Sequence, residues 1–210
     1  MCCRDYCFDE DRYLYTHFEI RMDKTYLKLH ISILLAGFTG IFGKLISLNE
    51  GLLVWYRVLL TSLFLFFFLI ATRKLSRVSF SDFVRIAKVG SILALHWVFF
   101  YGSIKASNVS IGVVCYSLVG FFTAILEPII LHRKFSKREL IYSLVSLLGV
   151  ALIFSFDTRY RVGITLGVVS TALASLFTIM TKKISNDYSP RTILFYEMLG
   201  GFIFISALLP

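Results

Sequence analysis

The sequence predicts an all-α fold, a polytopic helical membrane protein of about seven transmembrane helices, and three observations predict it. The 210 residues are 57% hydrophobic and 17% charged, with mean hydropathy +0.77, whereas a soluble domain carries about a quarter charged residues. The apolar residues collect in runs of about twenty, the length a helix needs to cross a hydrocarbon core. Segments of roughly ten residues alternating apolar and polar, the mark of a transmembrane barrel, do not occur. A soluble domain and a disordered chain are excluded by the same apolar mass.

Charged breaks bound the runs and place spans at residues 28–47, 52–72, 86–105, 109–131, 140–156, 163–181 and 192–209. The first ends in AGFTGIFGK, where Ala36, Gly37, Gly40, Gly43 and Lys44 share a face at about 3.6 residues per turn. Such a small-residue stripe permits close helix approach. A short link at residues 47–51 leads into the second span, which carries Arg57 early. The third holds His96 and is joined to the fourth through Ser107 and Asn108. On the fourth, Val113, Ser117, Gly120, Ala124 and Glu127 share a face just before Pro128, and that proline frees the carbonyl of Ala124. The fifth closes on LLGVALIF. The sixth presents Gly163, Gly167, Ser170, Thr171, Ala174, Thr178 and Thr181 on one face, a stripe that suits a wet cavity or an interhelical hydrogen-bond seam equally. The seventh carries Glu197 and reaches Pro210 without polar flanks, so we expect the chain to be part of a longer one.

Lys and Arg flank the spans at residues 21–28, 73–88, 133–138 and 182–191 on one side, against Lys105, Arg159 and Arg161, with Lys44, on the other. The positive-inside rule therefore puts the amino terminus in the cytoplasm of a multi-pass protein of the cell (inner) membrane. The net charge of +9 lies in these clusters and forms no single basic patch, which argues against nucleic acid as a partner and for lipid headgroups. Cys2, Cys3, Cys7 and Cys115 have neither zinc-ligand spacing nor a disulfide framework; a metal-binding or acylated tail stands against a bland one. Residues 1–21 lack an apolar period and a signal-peptide core, and Met22 opens a start typical of membrane proteins, so translation is expected to begin there.

Ionisable groups inside a bilayer cost about 2.5 to 3.5 kcal/mol each on insertion scales, which makes them functional candidates. Lys44 and Arg57 lie near one interface, where they snorkel or hold an anionic substrate group or a helix carbonyl terminus. Glu127, beside Pro128, is either a carboxylate able to carry a proton or a paired interfacial acid. His96, flanked by Trp97, is read as a hydrogen-bonded packing residue or a titrating one. Glu197, Tyr101, Tyr116 and Ser117 complete the candidates for a substrate or ion pathway. No Gly-rich phosphate loop, nucleophile elbow or His-Glu-x-x-His helix occurs, so neither an enzyme nor a cofactor or metal site is expected.

The segment KLISLNEGLLVWYR, residues 44–57, aligns with KKISNDYSPRTILFYE, residues 182–197, and pairs Tyr56 with Tyr196 and Arg57 with Glu197. Five spans separate copies lying at opposite faces, as an odd-numbered unit inverts its repeat. With AGFTGIFGK, WYRVLL, the stretch YGSIKASNVSIGVVCYSLVGFFTAILEPII and LLGVALIF in that order, residues 28–210 resemble the EamA type of the drug/metabolite transporter superfamily. Asp157 and Gly163 are similar to the family's link into its second repeat, whereas Glu139 stands one residue short of the family's usual glutamate after the fourth-span proline.

The resemblance implies ten spans in two inverted five-helix repeats. Residues 1–27 are then an amino-terminal tail, 28–156 the first repeat and 163–210 the start of the second. It also implies transport of a small-molecule substrate by alternating access; the placement of the intramembrane charges, and not the resemblance, makes Glu127 and Glu197 the candidates for coupling to a cation or proton and Arg57 and Lys44 those for meeting an anionic group. A homodimer is left open. The rival readings are a seven-helix scaffold or receptor whose polar face is a packing seam, an inactive transporter fragment, and a seven-span sugar-carrier arrangement.

Overall fold

A computed structural model describes the backbone of residues 7–154 and 160–209 and, within them, the side chains of residues 25–152 and 160–209. Asp157 and Arg159 lie outside the described residues, as do Cys2 and Cys3. The described elements are all helices: α1 (Cys7–Leu45), α2 (Glu50–Ala71), α3 (Phe80–Ala106), α4 (Val109–Tyr116), α5 (Val119–Leu131), α6 (Lys137–Phe154), α7 (Arg161–Ile184) and α8 (Pro190–Leu208). Among the described residues, six segments are long and apolar enough to cross a membrane: Thr25–Leu45, Glu50–Ala71, Phe80–Ala106, Val109–Leu131, Arg161–Ile184 and Pro190–Leu208. The chain is a polytopic helical membrane protein. The expected fifth span is α6, whose 18 residues open on Lys137, Arg138 and Glu139 and so leave a shorter apolar stretch.

Two boundaries differ from expectation for local reasons. Helix α1 begins at Cys7, well inside the expected tail, because neither Gly nor Pro interrupts the sequence before Gly37. The fourth span is broken into α4 and α5 at Ser117 and Leu118, not at Pro128, which sits inside α5. There Ser117 Oγ donates to the Val114 carbonyl at 2.6 Å and the Leu118 amide to the Cys115 carbonyl at 3.1 Å, a tightened turn that interrupts the helical ladder.

The starts of α2, α3, α4 and α8 follow from side-chain caps. Asn49 and Asn108 accept the amides of Leu52 and Ile111 at 2.8 and 2.9 Å, while Ser79 and Ser189 accept those of Asp82 and Thr192 at 3.1 and 3.4 Å. Ser79 is the reason α3 starts six residues before the expected 86. Helices α2 and α5 are followed by residues in the left-handed region, Arg73 at φ 52° and His132 at φ 51°.

The chain divides into a unit ending at Phe42 and a second running from Gly43 onwards. In the second unit α3 is central and packs on α2, α4, α7 and α8; α7 also packs on α4 and α5, and α6 on α5. One apolar cluster joins Val54, Val58, Ala94, Ile104 and Ile205 of α2, α3 and α8; another joins Ile86, Val89, Ile184 and Ile193 of α3, α7 and α8. Lipid is as apolar as these side chains, so close packing and interhelical hydrogen bonds hold such helices together. Gly90 shows the closeness: a Cβ there would collide with the backbone carbonyl of Glu197, so α3 and α8 touch backbone to backbone.

Candidate functional site

The described candidate residues fall into three groups along the second unit. At the end opposite the basic clusters, Arg57 of α2 donates from Nη1 to the Tyr101 hydroxyl of α3, and its guanidinium carbon lies 4.1 Å from the centroid of the Trp97 ring. The stacked cation and the phenol hold one another in place. Lys44 Nζ donates to the carbonyls of Ile104 and Ser107 at 3.3 and 3.4 Å, where a cation meets the negative end of α3. Of the roles open to Lys44, holding a helix terminus is the one its contacts display.

The second group lies mid-helix between α3, α4 and α7. His96 Nδ1 donates to the Ser170 carbonyl at 2.8 Å and lies 2.9 Å from Ser170 Oγ, which donates in turn to the His96 carbonyl at 3.1 Å. Tyr116 is exposed, with its ring centroid 5.9 Å from that of His96, and Ser117 is exposed beside it. The hydroxyl stripe of α7 serves the broken span: Thr171 Oγ1 shares its proton between the Gly167 carbonyl of its own helix at 2.7 Å and the Cys115 carbonyl at 3.0 Å, and Ser175 Oγ between the Thr171 and Val119 carbonyls, both at 3.1 Å. These two carbonyls flank the interruption between α4 and α5. The stripe is a hydrogen-bond seam along this stretch, while Thr178 is exposed and bonds its own helix.

The third group sits at the end bearing the basic clusters. Glu197 of α8 is 2% exposed and accepts a hydrogen bond from Thr181 Oγ1 at 2.6 Å. The next residue of α7, Lys182, donates to Glu127 Oε1 of α5 at 2.7 Å, with Arg133 Nη1 3.6 Å from the same oxygen. Successive α7 residues thus hold the two candidate carboxylates, which the helical turn of about 100° per residue sets on different sides. Glu127 and Lys182 help line a cavity of about 890 Å³ between α5 and α6. Glu197 and Arg57, which the alignment of residues 44–57 with 182–197 pairs, are not brought together: Gly90 beside Glu197 and Tyr101 beside Arg57 are about 16 Å apart along α3 at 1.5 Å per residue.

Several polar contacts at the basic end escaped the sequence reading. Arg85 pairs with Asp187 at 3.0 Å, Tyr188 donates to Asp82 Oδ2 at 2.6 Å and Tyr196 to the Ser76 carbonyl at 3.1 Å. The bond to the Asp82 carboxylate, then desolvation and then the charges of Asp82 and Asp187 hold the Tyr188 phenol above its usual range. Their partners lie about a hundred residues apart in sequence and no local pattern marks them. Among the described residues, no three His, Cys, Asp or Glu side chains group closely enough to hold a metal ion.

The sequence profile of the EamA-like transporter family matches residues 24–155, more than half of the chain. The chain belongs to the EamA-like transporter family. Lys44, Arg57, His96, Tyr101, Tyr116, Ser117 and Glu127 fall within the matched segment and Glu197 beyond it. Among curated proteins the chain is 28% identical over 187 residues to an uncharacterized transporter of Bacillus subtilis (strain 168), covering 85% of this chain and 60% of that protein. It is 26% identical over 136 residues to an uncharacterized transporter of Archaeoglobus fulgidus, covering 64% of this chain and 49% of that protein. The matches thus span about half to three fifths of the length of these relatives. No solved structure matches the chain.

Proposed function

We propose that this chain forms part of a transporter that moves a small metabolite by alternating access, one inverted repeat rocking against the other around a cavity near mid-membrane. Membership of the EamA-like family carries this reading, supported by the description of both relatives as transporters. The protein resides in the cell (inner) membrane with its amino terminus in the cytoplasm, a direction supported by the basic residues at 73–88, 133–138 and 182–191.

Glu197 is the preferred coupling group. It is the most deeply buried of the candidate acids and, among the described residues, accepts its hydrogen bond from a neutral hydroxyl, whereas Glu127 already faces two cations. A buried acid without a cation beside it has reason to exchange a proton or take up a metal cation during a cycle. Arg57, with Tyr101, is the candidate for an anionic substrate group, because a guanidinium exchanges a phenol partner for a carboxylate or phosphate with a gain in bond strength.

The test is flux across proteoliposomes containing the full-length protein. Glu197→Gln is expected to abolish the dependence of transport on the proton or cation gradient, with Glu127→Gln affecting it less. Unchanged rate and unchanged pH dependence in Glu197→Gln would remove the coupling role. Helix association without flux of any small solute would favour the scaffold reading.

A further inference from the structure

The cavity between α5 and α6 has a built-in polarity that the transport reading does not use. Its lining begins at Val119 and Phe121, at the start of α5, and ends at Arg133 and Lys134, just past the end of that helix. At 1.5 Å per residue the 13 residues of α5 make it about 20 Å long, close to half the thickness of a bilayer. Val119, Phe121 and Ala124 give the deep part an apolar wall, with the uncharged hydroxyls of Thr123, Ser143 and Ser146 beside it, and the cations gather at the other end.

The chain turns back there through His132, at φ 51°, with the Arg133 amide bonded to the Pro128 carbonyl at 3.0 Å. That turn leaves Arg133 and Lys134 at the mouth, together with Lys182. Two acids, Glu127 and Glu139, share the lining. Lys182 at 2.7 Å matches Glu127, while Arg133 reaches the same oxygen only at 3.6 Å and remains exposed, free to turn to a second anion. Exposed Lys137 and Arg138 follow within five residues and outweigh Glu139.

We propose that this groove binds an anionic phospholipid of the adjoining leaflet, its phosphate at Arg133 and Lys134 and an acyl chain along Val119, Phe121 and Ala124. The length decides against a small soluble anion, which would need the cations and not an uncharged trough with an apolar wall reaching mid-membrane. Charge complementarity decides against a zwitterionic lipid, because an excess of cations at headgroup level gains about 1 kcal/mol per Lys or Arg only from a net negative surface, equivalent to about a fivefold change in affinity.

The experiment is native mass spectrometry of the full-length protein released from bilayers of equal phosphatidylglycerol and phosphatidylcholine. Wild type is expected to retain phosphatidylglycerol preferentially. Arg133→Gln/Lys134→Gln should lower retention about twenty-fivefold, and the charge-matched control Lys74→Gln/Lys183→Gln should leave it within twofold. Ala124→Trp, which fills the trough and keeps every cation, should lower retention as well. Equal retention of the two lipids, an effect of the control as large as that of Arg133→Gln/Lys134→Gln, or full retention in Ala124→Trp would overturn the proposal. Displacement of the lipid by millimolar glycerol 3-phosphate would reassign the site to a soluble anion. None of these readouts requires transport, so the proposal stands or falls apart from the functional reading.

Discussion

An imidazole inside a membrane helix must find partners, and His96 finds them on one residue, the carbonyl and hydroxyl of Ser170. Ser170→Ala removes the hydroxyl and keeps the carbonyl, so the loss is expected to be modest, about 0.5 to 1.5 kcal/mol, read as a lowered midpoint of thermal unfolding in detergent. Gly90→Val should do far more, because its Cβ would press on the Glu197 backbone and force α3 from α8; the expected outcome is loss of monodisperse protein. Tyr188 gives a spectroscopic check. Its phenol is held protonated by Asp82, so the stability it adds is present below the usual phenol value and is lost as pH rises through the raised one. Ultraviolet titration should show one late-ionising tyrosine that becomes ordinary in Asp82→Asn.

At the scale of the element, the interrupted fourth span is the informative feature. A helix broken inside lipid must be held by contacts within the protein, and α7 braces the break from both sides: Thr171 adds a bond to the Cys115 carbonyl, which the Leu118 amide already meets, and Ser175 bonds the carbonyl of Val119, the first residue of α5. Thr171→Val keeps the shape and removes the donor, with an expected cost of about 1 kcal/mol. His132 ends α5 in a left-handed conformation that costs an L-residue roughly 1 to 2 kcal/mol. His132→Gly should therefore raise the unfolding midpoint, provided the Arg133 amide keeps its bond to the Pro128 carbonyl.

Across the whole second unit the ends differ in kind. The ion pairs among the described residues lie at the basic end, and two of them, Arg85 with Asp187 and Lys182 with Glu127, join the segment before residue 155 to the segment after 159. At the opposite end the joining contacts are neutral, Trp55 Nε1 to Ser206 Oγ at 2.8 Å and Ser103 Oγ to the Gly163 carbonyl at 2.6 Å. Arg85 and Asp187 are nearly half exposed, so their pair is worth less than about 1 kcal/mol. Its expected importance is kinetic: if the segments rock, an Arg85→Cys/Asp187→Cys cross-link should stop flux in the full-length protein and reduction should restore it. Unimpeded flux in the cross-linked protein would show that this end does not open.

The sequence by itself determined the class, the approximate spans and the family resemblance, because hydrocarbon thickness sets apolar length and charge must stay at the interfaces. It also marked Arg57, His96, Glu127 and Glu197 as polar groups that need an explanation, since each interrupts an apolar run. Only the tertiary structure decided what answers them: Tyr101 and Trp97, Ser170, Lys182 and Thr181. All but the contacts between Glu197 and Thr181 join residues more than 35 positions apart, and no helical period links such positions. The break at Ser117 was hidden for a related reason, because the hydroxyls that brace it, those of Thr171 and Ser175, come from another helix 56 positions away in sequence.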